Sequence, residues 1–208
     1  MTTHVSADLV SRLCDHVAEH MGLHLPPDHR PDIEKRLAAA AAEQGFEDVE
    51  QFGEWLMSAS LTRAQVELLA SHLTVGETYF FRDKSTWAAI ESEVLPELIA
   101  SRRADGRHLR IWSAGCCTGE EPYSVAMLLS NMIHDIDDWN ITILATDINP
   151  RFLKKAEDGV YTEWSFRSAP AWLKERYFGS AASGRFILAP RIRRMVRFSH
   201  LNLVLRHA

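Results

Sequence analysis

The chain has 208 residues, of which 46% are hydrophobic and 25% charged, enough for one ordinary globular domain and a small second one. Its net charge of −5 argues against a nucleic-acid-binding protein, which usually needs a basic surface. Three cysteines, two of them adjacent, exclude a disulfide framework and favour a reducing cytoplasm, and no apolar stretch approaches the ~20 residues of a membrane-spanning helix.

The first part of the chain is predicted to be entirely helical. Ser6 can cap a first helix whose apolar residues recur one turn apart, and Gly22 ends that helix. An alanine-rich helix follows, and Asp48 opens the next one. Thr62 and Gln65 form a capping box before a further apolar segment. These short helices predict a small bundle.

The pattern changes in the middle of the chain. A polar and aromatic segment at 74–83 precedes a longer helix, in which Pro96 should cause a kink. The apolar run at 109–114 then predicts a strand, the glycines of 115–119 a tight loop, and 120–133 a helix.

A second strand at 140–147 and a helix closed by Gly159 continue this order, which is typical of a parallel α/β sheet. Farther on, the segments 184–188 and 195–198 lie on either side of an Ala-Pro pair and are predicted to form a small antiparallel element. Residues 201–205 are one more candidate strand.

The charge of the C-terminal part is one-sided, because no acidic residue follows Glu175. A solvated strand face explains this pattern, and a docking patch for an acidic partner is the alternative. The arginines concerned are Arg176, Arg185, Arg191, Arg193, Arg194, Arg197 and Arg206.

The glycine-rich turn between the first strand and its helix predicts a cofactor at the helix N-terminus. A dinucleotide site needs a G-x-G-x-x-G motif facing pyrophosphate, whereas Gly115 and Gly119 are followed at once by Glu120 and Glu121. Carboxylates repel phosphate and suit a cationic ligand such as S-adenosylmethionine, although they can also simply stabilise the helix start. Asp147, which ends the second strand, can accept hydrogen bonds from ribose hydroxyls.

Several segments occur in an order that closely resembles the chemotaxis-receptor (protein-glutamate) methyltransferases. They are Thr78–Arg82, Ile111–Ser124, Ala145–Asn149 and Phe198–Leu203. The resemblance covers nearly the whole chain, and the string T-G-E-E-P-Y-S is its most specific part. It implies an α/β fold class: an N-terminal helical domain with an inter-domain segment over 1–83, then a Rossmann-like S-adenosylmethionine methyltransferase domain over 84–208. A small antiparallel β-subdomain is expected at about 180–198.

The resemblance also implies an activity, the transfer of a methyl group from S-adenosylmethionine to glutamate side chains of the cytoplasmic part of chemoreceptors, which leaves S-adenosylhomocysteine. A receptor tail is expected to dock on the β element at 184–198. Glu121 would hold the methionine end of the cofactor, Asp147 the ribose, and Asn202 and Leu203 the adenine side. The full set of implied cofactor contacts is Gly76, Thr78, Arg82, Gly115, Glu121, Asp147, Asn202 and Leu203.

Methyl transfer to a glutamate side chain requires little acid–base chemistry from the protein. A glutamate side chain, with a reference pKa of ~4.3, is already an ionised nucleophile at neutral pH. The task is to align carboxylate, methyl and sulfur in a site with little water. Arg82 is expected to position the cofactor or to steer the acceptor. Tyr79 is expected to supply a hydroxyl or a wall of the site near the methyl group, and the alternative for Tyr79 is a role in packing alone.

The chain departs from the family pattern in two places. Alanines at 38–42 replace arginines on the second helix and leave Arg36, so usual receptor recognition is in question. The family sequence continues beyond the Asn-Leu pair, so an incomplete domain is expected, and a module that binds cofactor or a signalling partner without turnover is the alternative function. His16 and His20 lack a third ligand, and no metal site is predicted.

Overall fold

The computed structural model describes residues 6–26 and 29–204, which divide into two compact units. The first unit contains the described residues up to Val75 together with 148–150 and 201–204. The second contains 76–147 and 151–200. The aromatic segment expected between the domains lies in the second unit, and the domain boundary after residue 83 stays a prediction.

The first unit is built from α-helices whose ends follow the predicted caps. They are α1 (Ala7–Met21), α2 (Arg30–Glu43), α3 (Val49–Met57) and α4 (Arg63–Leu73). The Ser6 side chain accepts a hydrogen bond from the backbone N–H of Leu9, and Gly22 ends α1 in the left-handed conformation, with φ of 65°. The capping box of Thr62 and Gln65 is present. The helical prediction for this part is confirmed.

The alanine run of α2 is a packing surface. Ala40 and Ala41 are buried, and α2 lies against α4. Small side chains allow two helix backbones to approach closely, because little lies between them. Nη1 of Arg36 donates to the backbone oxygen of Leu73, 3.2 Å away, at the end of α4. Arg36 therefore contributes to the C-terminal capping of α4.

The second unit begins with the aromatic segment and a long interrupted helix. The α-helices of this unit are α5 (Lys84–Ala89), α6 (Leu95–Arg103), α7 (Glu120–Met132), α8 (Pro150–Asp158), α9 (Ala171–Tyr177) and α10 (Pro190–Arg193). Only the first residue of α8, Pro150, is assigned to the first unit. The expected interruption at Pro96 takes the form of a π-helical turn at Ile90–Val94, directly before α6. This wider turn accommodates a proline, which cannot donate a backbone hydrogen bond.

A parallel sheet forms the centre of the second unit. Its strands are β1 (His108–Ala114), β2 (Asn140–Asp147) and the last strand, β6 (Val196–His200). The order is β1-β2-β6, with Ala114 opposite Thr146 and Asp147 opposite His200. The carboxyl ends of β1 and β2 thus lie side by side, as the predicted α/β class requires.

The antiparallel pairing predicted for 184–198 is wrong. The strand at Arg185–Leu188 (β5) lies between β3 (Val160–Thr162) and β4 (Phe178–Ala181), in the order β3-β5-β4. The segment at 195–198 instead enters the parallel sheet beside β2, because the short helix α10 separates it from β5. The small sheet therefore spans 160–188, and not about 180–198.

Residues 201–204 are not a strand, and Leu205, like Arg206, lies outside the described residues. In this segment Val204 lies against the left-handed Gly22 within the first unit, whereas Leu203 is exposed. Among the described residues, no helix is both long and apolar enough to traverse a lipid bilayer.

Candidate functional site

The glycine loop after β1 lies at the carboxyl edge of the parallel sheet. The backbone N–H groups of Gly115 and Cys116 both donate to the carbonyl oxygen of Thr146, at 2.8 and 2.9 Å. Gly119, with φ of 91°, makes the turn into α7 where a side chain would strain the backbone. The loop is thus tied to the end of β2 before the helix begins.

A small pocket of about 120 Å³ opens beside this loop. It is lined by Glu77, Thr78, Tyr79, Arg82, Trp87, Gly115, Cys116, Cys117 and Glu121. Ligand pockets usually measure ~300–1,000 Å³, so this one has room for one end of a nucleoside-sized ligand. Its walls come from the aromatic segment and the glycine loop, the two regions from which most of the cofactor contacts were predicted.

The adjacent glutamates of the loop have different surroundings, which corrects the expectation that both face a cation. Glu120 is only 2% exposed. Its carboxylate accepts hydrogen bonds from the hydroxyl of Thr118 at 2.6 Å and from that of Ser165 at 3.0 Å. Adjacent helical positions point ~100° apart, so one glutamate turns inward while the next faces the pocket. Glu120 therefore organises the loop, and Glu121 remains for a ligand.

Two carboxylates lie beside the glycine loop on neighbouring elements, Glu121 in the pocket lining and Asp147 outside it. Glu121 is exposed in the first turn of α7, and its Oε1 accepts the hydroxyl of Ser113 at 2.6 Å. Asp147 is buried at the end of β2, and its Oδ2 accepts the backbone N–H of Cys117 at 2.8 Å. These contacts orient both carboxylates. Their combined negative charge disfavours phosphate and suits cationic or hydroxyl-bearing ligands.

The aromatic segment is anchored by two buried rings. The Phe80 ring lies 5.1 Å from that of Phe166, and its backbone N–H donates to the carbonyl oxygen of Ser165 at 2.9 Å. The backbone N–H of Phe81 donates to the hydroxyl of Ser124 at 3.2 Å. Phe81 has φ of 57°, which is uncommon for a bulky residue and is found preferentially at functional sites. This anchoring fixes the pocket-lining residues on either side of these rings.

Both predicted catalytic residues reach the pocket. Arg82 is exposed, donates to the backbone oxygen of Glu77, and pairs with the Glu77 carboxylate at 3.2 Å. Tyr79 is half-buried, with the Arg82 guanidinium 6.0 Å from its ring centre. Thr78 lines the same wall. Arg82 thus has its charge partly compensated before any ligand binds.

The remaining predicted contacts lie elsewhere. Gly76 does not line the pocket, and a side chain there would meet Sγ of Cys117 at 2.7 Å. Asn202 and Leu203 belong to the first unit, where the buried Asn202 donates to the backbone oxygen of His20 at 2.8 Å and Leu203 is exposed. Their assignment to the adenine side stays a prediction.

The two adjacent cysteines lie in a setting that suppresses thiolate formation. Burial, with a smaller contribution from the neighbouring carboxylates of Glu120 and Asp147, raises the pKa of the Cys117 thiol to about 11, against opposing hydrogen bonds from Thr118. Burial likewise raises the pKa of the Cys116 thiol. Because the thiolate is the reactive form, neither cysteine suits redox chemistry at neutral pH.

We expect alkylation of Cys117 by iodoacetamide to be slow at pH 7.5. Below its raised pKa, the rate should increase about tenfold per pH unit, because only the thiolate reacts. Mass spectrometry of the peptide that carries Cys117 measures this rate directly, and a Cys117→Ser protein provides the background from the adjacent Cys116. Fast labelling that levels off below pH 9 would show that the site stabilises the thiolate.

Sequence reasoning missed the residues that support the pocket from behind. Ser113 and Ser165 position the two glutamates through their hydroxyls. Arg167 also escaped notice, although its guanidinium lies 3.7 Å from the ring centre of Tyr79 and 4.3 Å from that of Trp164. The exposed tryptophan three residues before an arginine was the available signal.

Comparison with known proteins gives consistent matches. Residues 76–208 match the family model described as CheR methyltransferase, SAM binding domain. The "Chemotaxis protein methyltransferase" of Borreliella burgdorferi is 31% identical over 206 residues, which cover 98% of this chain and 72% of that protein.

Further relatives have related names. The "Probable chemotaxis protein methyltransferase" of Rhizobium etli is 33% identical over 175 residues, 83% of this chain and 65% of that protein. The "Chemotaxis protein methyltransferase 2" of Vibrio cholerae is 36% identical over 139 residues, 67% of this chain and 48% of that protein. The chain therefore spans between about half and three quarters of the length of these relatives.

Proposed function

Because the chain belongs to the CheR methyltransferase family and carries its S-adenosylmethionine-binding domain, we propose that it transfers the methyl group of S-adenosylmethionine to glutamate side chains of chemoreceptors. The observation that carries the proposal is the position of Glu121 and Asp147 beside the glycine loop at the carboxyl edge of the sheet, each oriented by a hydrogen bond. The names of the relatives, which are chemotaxis protein methyltransferases, support the same substrate class.

The residues at this edge fit S-adenosylmethionine chemically. The cofactor carries a sulfonium, an ammonium and two ribose hydroxyls but no phosphate. Glu121, at the pocket wall, suits the ammonium, and Asp147 suits the hydroxyls, since a carboxylate accepts several hydrogen bonds. At Gly115 an added Cβ would meet nothing within 4 Å, which leaves room for a ligand against the backbone. Pyrophosphate would instead face two negative charges.

The protein's contribution to the reaction is alignment. When bound, S-adenosylmethionine supplies an activated methyl group, and the acceptor glutamate is already ionised at neutral pH. Thr78 and Arg82, on the wall opposite the glycine loop, would hold the cofactor in place, and Tyr79 and Trp87 would limit access of water. We assign no proton transfer to these residues, because the acceptor needs no base.

Receptor docking is the finer part of this proposal. We assign the predicted tail-binding site to the β3-β5-β4 sheet, and not to residues 184–198, because β4 is an edge strand of that sheet. An edge strand can accept an extended peptide through its free backbone groups. We also propose that the helices of the first unit form the predicted N-terminal bundle domain.

Binding and turnover together test the proposal. We expect calorimetry to detect binding of S-adenosylmethionine and S-adenosylhomocysteine, and Glu121→Gln to weaken both about tenfold, because a charge-assisted contact to the ammonium is lost. Glu97→Gln on α6 is the matched control, since Glu97 is exposed and distant in sequence from the loop.

Methyl transfer from radiolabelled S-adenosylmethionine to chemoreceptor cytoplasmic fragments then separates the two candidate functions. Transfer to glutamate side chains, released by mild base as methanol, supports the enzyme. Binding of the product without any transfer supports a module that holds the cofactor without turnover. Failure to bind either compound contradicts both.

A further inference from the structure

A second cation lies beside the pocket, outside its lining. The guanidinium of Arg167 is in contact with Tyr79, which lines the pocket, and with Trp164. Its Nη1 donates to the backbone oxygen of Trp164 at 2.8 Å, which leaves further N–H donors for other partners. Trp164 is 71% exposed, so this pair faces solvent. Within the described part of the chain, no carboxylate lies within ion-pair distance of Arg167.

The negative charge around the pocket indicates a role for the Arg167 cation. Glu77 and Glu121 line the pocket and Asp147 lies behind the loop, so the site as a whole repels an approaching carboxylate. Arg82 offsets this only in part, because it is already paired with Glu77. Another positive group on the approach would therefore help to attract a glutamate acceptor.

We propose that Arg167, stacked between Tyr79 and Trp164, binds the carboxylates of the methyl acceptor and positions an acidic segment next to the pocket. This inference rests on the proposed methyl transfer to glutamate. Arg167 is a positioning and specificity residue, since it contacts the acceptor near the reacting group and takes no part in bond making.

The surroundings of Arg167 hold it in place for such a contact. It directly follows the turn Glu163–Phe166, whose Phe166 ring is buried in the aromatic cluster and whose Ser165 hydroxyl binds Glu120. Two flanking aromatic faces displace water from the guanidinium, which strengthens its attraction for an anion. A pre-positioned arginine loses little conformational entropy when it binds a carboxylate.

Binding of a labelled peptide tests the inference without turnover. The probe is a capped helical peptide with glutamate pairs on successive turns, and the reference is the same peptide with glutamine at every glutamate. We expect the protein to bind the glutamate peptide more tightly, and added salt to weaken the binding. Arg167→Ala should weaken it about fivefold to tenfold, Arg167→Lys less, and Trp164→Ala by an intermediate factor, as fluorescence anisotropy would show.

Arg110→Ala is the matched control, because it removes an exposed arginine from the same unit and Arg110 lies outside the arginine-rich C-terminal part. In steady-state assays Arg167→Ala should raise the KM for the acceptor with kcat and the melting temperature unchanged. Equal binding of both peptides by the unaltered protein, or no more loss for Arg167→Ala than for Arg110→Ala, would overturn the inference. Arg167-dependent binding without methyl transfer would support the carboxylate site and reject the proposed transfer.

Discussion

Gly119→Ala is expected to lower the free energy of unfolding by about 3–4 kcal/mol. With φ of 91°, an alanine at this position strains the backbone by ~1–2 kcal/mol. Its Cβ would also lie 2.8 Å from that of Ala156 and 3.1 Å from the hydroxyl of Tyr161, and overpacking of this kind adds ~1–3 kcal/mol. The start of α7 would have to move, and Glu121 with it.

Urea and thermal unfolding monitored by circular dichroism measure this loss. For a chain of this size we expect the melting temperature to fall by about 10 °C. Gly184→Ala is the matched control: its φ is also positive, at 67°, but nothing lies within 4 Å of the added Cβ. The difference between the two variants isolates the crowding at Gly119. Equal destabilisation would mean that α8 and β3 shift to accommodate the extra methyl group without a further loss of stability.

Asp147→Asn is expected to weaken binding of S-adenosylmethionine and S-adenosylhomocysteine about 100-fold. A carboxylate can accept both ribose hydroxyls, whereas an asparagine must use its single oxygen for the backbone N–H of Cys117. The loss of two charge-assisted hydrogen bonds at ~1.5 kcal/mol each corresponds to this factor. Because the contact to Cys117 survives, we expect the melting temperature to fall less than for Gly119→Ala.

Calorimetry with both nucleosides, together with a melting curve, measures the two effects separately. Asp137→Asn makes the same chemical change at an exposed site that precedes β2, whereas Asp147 ends that strand. This variant should leave the affinity for both nucleosides unaltered. A ligand lacking the ribose hydroxyls should bind the unaltered protein and the Asp147→Asn protein alike. If the variant keeps full affinity for S-adenosylhomocysteine, Asp147 does not hold the sugar.

Local signals in the sequence predicted most of the helices and the glycine loop. Ser6, Gly22 and Asp48 act at helix ends through their own backbone or side chain, so neighbouring residues suffice to identify them. The strand, loop and helix around Gly115 and Gly119 follow the same logic. These features depend on interactions a few residues apart.

Features that depend on distant contacts were not accessible in this way. The alternation of Val196–His200 predicts a strand but carries no information about its partner, which proved to be β2. Likewise, adjacent glutamates look equivalent in a sequence. The inward orientation of the Glu120 side chain depends on a hydrogen bond from Ser165, which is distant in sequence and becomes a neighbour only after folding.

The first unit is assembled from separated stretches of the chain, and this has a consequence for its folding. Asn202 binds the end of α1, and Asn149 donates to the backbone oxygen of Ala70 at 3.1 Å in α4. During synthesis the N-terminal helices emerge first, but they gain the contact with Asn149 only after residue 149, and the contact with Asn202 only after residue 202, has left the ribosome. Their early form must therefore persist with incomplete packing, and closure of such long loops is slow.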